Sequence, residues 1–154
     1  MGREVGSSMN RILVCLDASP RAAYVLATAT DLARRAGGRM SLLRTIGIPP
    51  EIDQTMFVRA EADMIETMLA QAKRDLLELA KGVPPELLEG IHVHVGTPWD
   101  AICREAKVLD SDLVVLGSHG YSGIDHILGT TAAKVVNHCE RSVLVVRQPP
   151  RAKT

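Results

Sequence analysis

The chain has 154 residues, of which 46% are hydrophobic and 23% are charged. This is the size and composition of one ordinary globular domain, and it excludes a disordered chain. Eighteen basic residues balance eighteen acidic ones, so nucleic acid is not an expected partner. No apolar run approaches the roughly 20 residues that span a bilayer, so no membrane association is expected either.

The first elements along the chain are predicted to be a strand and a helix. Arg11 to Leu16 is nearly all apolar, which is typical of a strand covered on both faces in a parallel sheet. Ser19 and Pro20 have the pattern of an N-cap and a first helical residue, and apolar residues at helical spacing continue to a stop at Gly37-Gly38. The sequence therefore predicts a βα unit whose strand ends at Asp17.

The same alternation continues through the rest of the chain. Further strands are predicted at 40–46, 91–95, 113–116 and 142–147, with helices at 65–79, 98–109 and 131–139. Five strands with intervening helices predict an α/β fold, a parallel sheet with right-handed crossovers and helices on both faces. We expect residues 1–8 to be a flexible extension, 9–148 a single domain and 149–154 a polar tail.

The stretch from 113 to 131 carries the strongest functional signal. An apolar strand runs into three glycines spaced three residues apart, at positions 117, 120 and 123. Glycines let a ligand approach the main chain closely, and Thr130 or Thr131 is a good N-cap for the next helix. Unpaired amides at the positive end of a helix favour phosphate. The alternative is a tight connection in which the glycines only satisfy turn geometry.

Two aspartates are candidates for contact with a ligand or a cation. Ligands of such sheets bind beyond the carboxyl ends of the strands, where the strand order reverses. Asp17 and Gly117 end two strands, so they line the same crevice if the first and fourth strands are neighbours. The Asp17 carboxylate would repel phosphate, but it can accept from a ribose hydroxyl or hold a cation. Asp125 is a candidate to hold Mg²⁺ through water, the alternative being a solvated loop residue.

The sequence resembles the universal stress protein family from Met9 to Arg147. Three stretches carry the resemblance: RILVCLDASP, GTPWDAICREAKVLDSDLVVLGSHG and GTTAAKVVNHCERSVLVVR. It implies a five-stranded sheet of order 3-2-1-4-5 in a Rossmann-like nucleotide-binding fold. The nucleotide-binding branch carries G-x2-G-x9-G-[ST], whose glycine amides and hydroxyl hold the phosphates of ATP. Here only eight residues, 121 to 128, separate the second and third glycines, one fewer than in the pattern.

The resemblance assigns this pattern to particular residues. Gly117 is expected near the ribose and Gly120 near the phosphates, while Gly129 and Thr130 match the final pair. Asp17 matches the aspartate of the first strand, which lies near the nucleoside. The complete predicted nucleotide site, with an adenine contact at Thr45 or Ile46, is Asp17, Ala18, Thr45, Ile46, Gly117, Ser118, His119, Gly120, Gly129, Thr130 and Thr131.

The histidines offer weaker signals. His119 and His126 lie in the glycine-rich loop and are second-rank candidates to donate to phosphate, although exposed loop histidines are usually only solvated. His92 and His94 are two residues apart and share one strand face, as a metal pair would. Because the sequence offers no obvious third ligand, we do not predict a metal site there.

The cysteines and the tryptophan favour structural interpretations. Cys15, Cys103 and Cys139 are odd in number and far apart in sequence, which fits reduced thiols in a cytosolic protein. Cys15 is predicted to be a small buried apolar residue, and Cys139 lies near a helix C-terminus, so neither is predicted to be a nucleophile. Trp99 could wall the ligand crevice, but a place in the core or at its rim is favoured.

The last strand, 142–147, reads SVLVVR and has no helix after it. It would leave an apolar edge bare, which native proteins rarely do. Antiparallel pairing with the same strand of a second copy would give a two-fold homodimer, as the resemblance also implies. The alternative, an edge covered by the C-terminal tail, is disfavoured by the tail's prolines and charges.

Three functions are consistent with these patterns. The first is a cytoplasmic, homodimeric stress-response protein that binds ATP, AMP or ADP, with Mg²⁺, and acts through partner proteins. The second is a dimeric interaction module without nucleotide. The third is an ATP hydrolase, which we expect to be slow at most, because the sequence has no G-x-x-x-x-G-K-[ST] motif and no nucleophile–base pair.

Overall fold

The computed structural model describes residues 9–47, 59–118 and 128–149. The strands are β1 (Arg11–Cys15), β2 (Arg39–Ile46), β3 (Leu88–Val95), β4 (Leu113–Gly117) and β5 (Ser142–Val146). The helices are α1 (Ala22–Ala36), α2 (Arg59–Ala80), α3 (Pro98–Val108) and α4 (Thr130–His138), with a 3₁₀ turn at Pro85–Leu87. No helix in these ranges combines the length and the apolar composition needed to cross a bilayer.

The five strands form one parallel sheet in the order β3-β2-β1-β4-β5, which confirms the predicted fold. β1 is central, and its last residue, Cys15, pairs with Leu43 of β2 and with Leu116 of β4. After β1 the chain adds β2 and β3 on one side of it, and then crosses to add β4 and β5 on the other side. The strand order therefore reverses between β1 and β4, where their carboxyl ends border a crevice.

Alternate residues of β1 enter two apolar layers. Ile12 and Val14 pack with residues of α1 and α2 on one face of the sheet. Leu13 packs with residues of α3 and α4 on the other face. Because both faces are covered, the strand has no solvent side after Arg11, which explains its nearly continuous apolar sequence.

The start of α1 differs from the prediction. The helix begins at Ala22, not at Pro20, and Arg21 holds the N-cap position without a side-chain cap. Asp17 Oδ1 accepts a 2.9 Å hydrogen bond from Ser19 N, and Ser19 Oγ accepts one of 3.3 Å from Arg21 N. These two bonds form a turn between β1 and α1, so Ser19 caps that turn and the predicted N-cap was wrong.

Two other boundaries also differ. β3 begins at Leu88 rather than at Ile91, because Leu88 pairs with Met40 and a register shift follows before Ser41. Gly129, rather than Thr130 or Thr131, is the N-cap of α4. The predicted threonine cap was therefore wrong, and no side chain among the described residues caps this helix.

The predicted stop of α1 is confirmed, and its two glycines have separate roles. Gly37 is the C-cap in the left-handed conformation, with φ of 66°. Gly38 lies against the preceding strand, because a Cβ there would be 2.8 Å from Asn10 O. The first glycine turns the chain, and the second lets it pass close to residues 9 and 10.

Candidate functional site

A cavity of about 340 Å³ lies at the carboxyl ends of β1 and β4. Its size is at the lower end of the range for small-molecule sites. The predicted site residues that line it are Asp17, Thr45, Gly117, Ser118, Gly129, Thr130 and Thr131. Ala18 and Ile46 are not among the described lining residues. The remaining candidates, His119, Gly120, Asp125 and His126, lie outside the described residues.

The carboxylate at the end of β1 is fixed by the turn that follows it. Asp17 is exposed, and its Oδ1 accepts the Ser19 amide while the side chain borders the cavity. Ser19 is only 7% exposed. A carboxylate can accept several hydrogen bonds, so this contact leaves capacity for a ligand hydroxyl or a hydrated cation.

The first turn of α4 faces the same cavity with backbone donors. Ala133 N is the first amide that bonds within the helix, donating over 2.9 Å to Gly129 O. The amides of Thr130, Thr131 and Ala132 precede it and have no acceptor inside α4, and all three residues line the cavity. Together with the helix dipole, these amides form an anion-binding end.

The amide of Gly129 has a different role. It donates a 2.7 Å hydrogen bond to Ser118 O, and Ser118 N in turn donates to Val146 O over 3.0 Å. These bonds tie the start of α4 to the ends of β4 and β5. The Gly129 amide is therefore engaged within the protein, and the phosphate-facing donors are those of the next three residues.

Apolar side chains and a neutral thiol complete the wall. Leu43, Ile102 and Leu116 line the cavity together with Cys15. Burial raises the pKa of the Cys15 thiol well above its ordinary value, with smaller contributions from Cys139 and Cys103. The Cys15 thiol is therefore uncharged. It is half-buried, and not fully buried as predicted, because it lines the cavity.

The sequence analysis did not predict the cationic side chain that lines the cavity. Among the described residues that line the cavity, Arg21 is the only one with a cationic side chain. It is half-buried at the N-cap of α1, on the same βα turn as Asp17. The sequence signal for this role was its position four residues after the aspartate that ends the first strand. We did not use that signal, because Pro20 predicted an earlier helix start and therefore placed Arg21 inside the helix.

Residues 9–147 match the family model described as the universal stress protein family. The chain belongs to the universal stress protein family. It is 27% identical over 136 residues to universal stress protein A homolog 1 of Coxiella burnetii, covering 88% of this chain and 94% of that protein. It is 29% identical over 149 residues to universal stress protein Sll1388 of Synechocystis sp., covering 89% and 97%.

Solved structures share the universal stress protein fold. The hypothetical protein MJ0577 superposes with a TM-score of 0.79 at 22% identity, covering 94% of this chain and 99% of that one. A universal stress protein solved in complex with cAMP superposes with a TM-score of 0.63 at 23% identity, covering 92% and 98%. At these identities the likeness supports the fold alone.

The histidine pair of this universal stress protein contacts one carboxylate. Glu105 of α3 is 8% exposed, and its Oε2 lies 2.8 Å from His94 Nε2. Its Oε1 lies 3.4 Å from His92 Nδ1. Within the described ranges, no group of three histidine, cysteine, aspartate or glutamate side chains is arranged to hold a metal ion. The cluster instead links β3 to α3.

The tryptophan lies beside α4 and not in the cavity wall. Trp99 is partly buried against the apolar layer under α3 and α4. Its ring centroid is 4.8 Å from that of His138, and Lys134 Nζ lies 5.9 Å from the ring. Trp99 is not among the described residues that line the cavity. The predicted place in the core or its rim is confirmed.

Proposed function

We propose that this universal stress protein binds ATP, or AMP or ADP, in the cavity beyond β1 and β4 and acts as a cytoplasmic regulatory homodimer. The observation that carries the proposal is the convergence of the first turn of α4 and Asp17 on one cavity. The first turn of α4 is complementary to the anionic phosphates of a nucleotide, and Asp17 is complementary to its ribose hydroxyls.

The phosphate end is supported by charge as well as by hydrogen bonding. Residues 130–132, with their amides, and Arg21, with its positive charge, border the same space. Each contact between an anion and a helix end contributes only about 0.3–1 kcal/mol when exposed, and up to about 2 kcal/mol when partly buried. Several converging donors are therefore needed for a polyphosphate, and the described lining of the cavity supplies amides, hydroxyls and the positive charge of Arg21.

The nucleoside end is supported by Asp17 and Thr45, which line the cavity at the ends of β1 and β2. Asp17 would accept from a ribose hydroxyl or hold Mg²⁺ through water. The adenine would contact Thr45 and the apolar wall. One protein of the same fold is a universal stress protein in complex with cAMP, an adenine nucleotide, and we propose the same ligand class for this chain.

The proposed dimer uses the outer edge of β5. Within the described residues, β5 pairs only with β4. Its central residues, Val143, Leu144 and Val145, are half-buried. A second copy of the same strand would satisfy that edge and cover its apolar side chains.

The test is an equilibrium titration of nucleotide-free protein with Mg-ATP, run beside Gly129→Val. Gly129 has φ of −57° and ψ of 156°, which valine tolerates, so the substitution adds a side chain at the cavity wall without straining the backbone. The matched control is Gly82→Val, in the turn after α2, where a Cβ would meet Leu79 O at 3.7 Å. Saturable binding by the wild type and the control, lost in Gly129→Val, supports the proposal.

The second candidate is a dimeric interaction module of the same family without nucleotide. It is favoured by the shortened spacing between Gly120 and Gly129 and by the engagement of the Gly129 amide with Ser118. If folded, dimeric protein does not bind Mg-ATP at concentrations up to millimolar, the interaction module is the better account. Phosphate release that disappears in Asp17→Ala would instead indicate slow hydrolysis.

A further inference from the structure

Arg21 is an unusual residue for the position that it occupies. It is the N-cap of α1, which serine, threonine, aspartate and asparagine favour, and no side chain among the described residues caps that helix end. A positive charge at the N-terminus of a helix also opposes the helix dipole. The first turn of α1, residues 22–25, reads AAYV and contains no acidic residue to balance that charge. Helix stability therefore does not explain an arginine at this position.

The backbone around Arg21 is held in place by hydrogen bonds. Its amide donates to Ser19 Oγ over 3.3 Å, and its carbonyl oxygen accepts from Val25 N over 3.1 Å. The next amide, that of Ala22, donates to Ser19 O over 3.1 Å. Ser19 is buried, so the turn is anchored within the protein. The side chain of Arg21 therefore starts from a fixed point beside the cavity, which reduces the conformational entropy that is lost when it binds a ligand.

Arg21 and the first turn of α4 reach the cavity from opposite faces of the sheet. Val25, one turn after Arg21 in α1, belongs to the apolar layer on one face. Val135 of α4 belongs to the layer on the other face. Arg21 and residues 130–132 nevertheless line the same cavity. The charge of Arg21 and the positive end of α4 therefore flank the crevice from its two sides.

We propose that Arg21 determines the specificity of the site for the phosphate chain, and that its guanidinium binds the phosphate groups beyond the first. This inference rests on the proposed nucleotide function. A single phosphate group can occupy the amides of α4, whereas each further group needs a partner of its own. Arg21 is the only cationic side chain among the described residues that line the cavity. The preferred ligand is therefore a nucleoside di- or triphosphate, and the monophosphate binds more weakly.

The chemistry of the guanidinium suits this role. It is planar and always charged, and it donates to two phosphate oxygens at once. Asp17 also lines the cavity, and its carboxylate repels phosphate more strongly as the chain gains groups. Because Asp17 and Arg21 belong to one turn between β1 and α1, the positive charge offsets this repulsion. A longer phosphate chain therefore depends on Arg21 more than a single phosphate does.

The experiment measures the affinities of the nucleotide-free full chain for ATP, ADP and AMP by isothermal titration calorimetry, at one free Mg²⁺ concentration. The variant is Arg21→Gln, which removes the charge and keeps most of the side-chain length. The matched control is Arg34→Gln, which removes the same charge from the last turn of the same helix, about 20 Å away at about 1.5 Å per residue. Urea unfolding establishes that each variant is folded.

We expect the wild type and Arg34→Gln to bind ATP and ADP more tightly than AMP. Arg21→Gln should weaken ATP binding about ten-fold or more and AMP binding less than about three-fold, so that the preference nearly disappears. Arg21→Ser should lose the same preference. Because serine is a favoured N-cap residue, this second variant should be at least as stable as the wild type, and it decides the question where Arg21→Gln does not fold.

Several results would overturn the inference. Equal affinities of the wild type for ATP and AMP, or an unchanged ratio in both Arg21 variants, would contradict it and leave the nucleotide site itself standing. An equal loss of ATP and AMP affinity would show that Arg21 maintains the shape of the site and does not select the phosphate chain. If the folded wild type binds none of the three nucleotides up to millimolar concentration, the proposed function fails together with this inference.

Discussion

The amide nitrogen of Gly129 lies 2.7 Å from the carbonyl oxygen of Ser118 and donates a hydrogen bond to it. This bond fixes the N-cap residue of α4 against the residue that directly follows β4. The one-residue departure from the family spacing falls between Gly120 and Gly129, in the segment that these two bonded residues bracket. The first turn of α4 is thus positioned by the strand and not by the length of that segment.

Because the Gly129 amide is engaged in this way, the proposed phosphate donors are the amides of the three residues after it. Substitutions of Thr130 can distinguish the contribution of its amide from that of its hydroxyl. Thr130 is the first helical residue of α4, a position that proline favours, and Gly129 has the extended conformation required before proline. Thr130→Pro removes both the hydroxyl and the amide proton, whereas Thr130→Ala removes the hydroxyl alone.

We expect Thr130→Pro to weaken Mg-ATP binding at least about ten-fold more than Thr130→Ala does, because a hydrogen bond to a charged group contributes about 1.5–3 kcal/mol. Both proteins should unfold at similar urea concentrations. Isothermal titration calorimetry gives the two affinities. Equal affinities in the two variants would mean that the amide of residue 130 does not contact the ligand.

The proposed dimer edge gives a second prediction. Val146 O accepts from Ser118 N, so the backbone polar groups of Val146 face β4 and those of Val145 face the outer edge. Val145→Pro removes an outward amide and leaves the β4–β5 ladder intact. Val145→Ala is the matched control, since it shortens the side chain but keeps the amide.

We expect Val145→Pro to raise the dimer dissociation constant about ten-fold or more relative to Val145→Ala, because a two-fold interface loses the bond twice. Sedimentation velocity over a concentration series measures both constants. A wild-type protein that is monomeric at every concentration, or a proline variant that dimerises as tightly as the control, would contradict the proposed interface.

The sheet could be predicted from sequence because its signals are local. A nearly continuous apolar run such as 11–16 is typical of a strand whose two faces are both covered, and the family resemblance implied the strand order. Cap positions could not be predicted as well, because Ser19 and Thr130 have the right side chains while the backbone of neighbouring residues decides where each helix starts. The contact of His94 with Glu105 depends on how α3 packs on β3, which no spacing in the sequence encodes.

The contact between His94 and Glu105 predicts a measurable contribution to stability. Glu105 is 8% exposed, and its closest imidazole partner is His94 at 2.8 Å, against 3.4 Å for His92. His94→Ala leaves a buried carboxylate with the weaker partner alone, which we expect to cost about 1–3 kcal/mol of unfolding free energy. His92→Ala should cost less, and urea unfolding of both variants gives the comparison. A larger loss in His92→Ala would reverse this ranking.

We predict that the free energy of unfolding depends on pH through a carboxylate at the contact between α2 and β2. Asp75 Oδ1 accepts from Gln71 Nε2 over 2.8 Å, and Oδ2 accepts from Arg44 Nη1 over 3.1 Å. The hydrogen bond from Gln71, followed by that from Arg44 and its charge, lowers the pKa of Asp75 below its ordinary value of 3.8. Since the folded pKa is the lower one, Asp75 stabilises the fold above pH 3.8, and this contribution is lost as the pH falls through the folded value.

Asp75→Asn should therefore be less stable than the wild type at neutral pH, and the difference should shrink to nothing as both are acidified below the folded pKa. Urea unfolding at a series of pH values measures that difference. Asp63→Asn, on the same helix, controls for the loss of one carboxylate from the net charge. Because Asp75 is partly exposed, raising the salt concentration should also reduce the neutral-pH difference. A difference between Asp75→Asn and the wild type that stays constant from neutral to acid pH would show that the carboxylate contributes through packing and not through its charge.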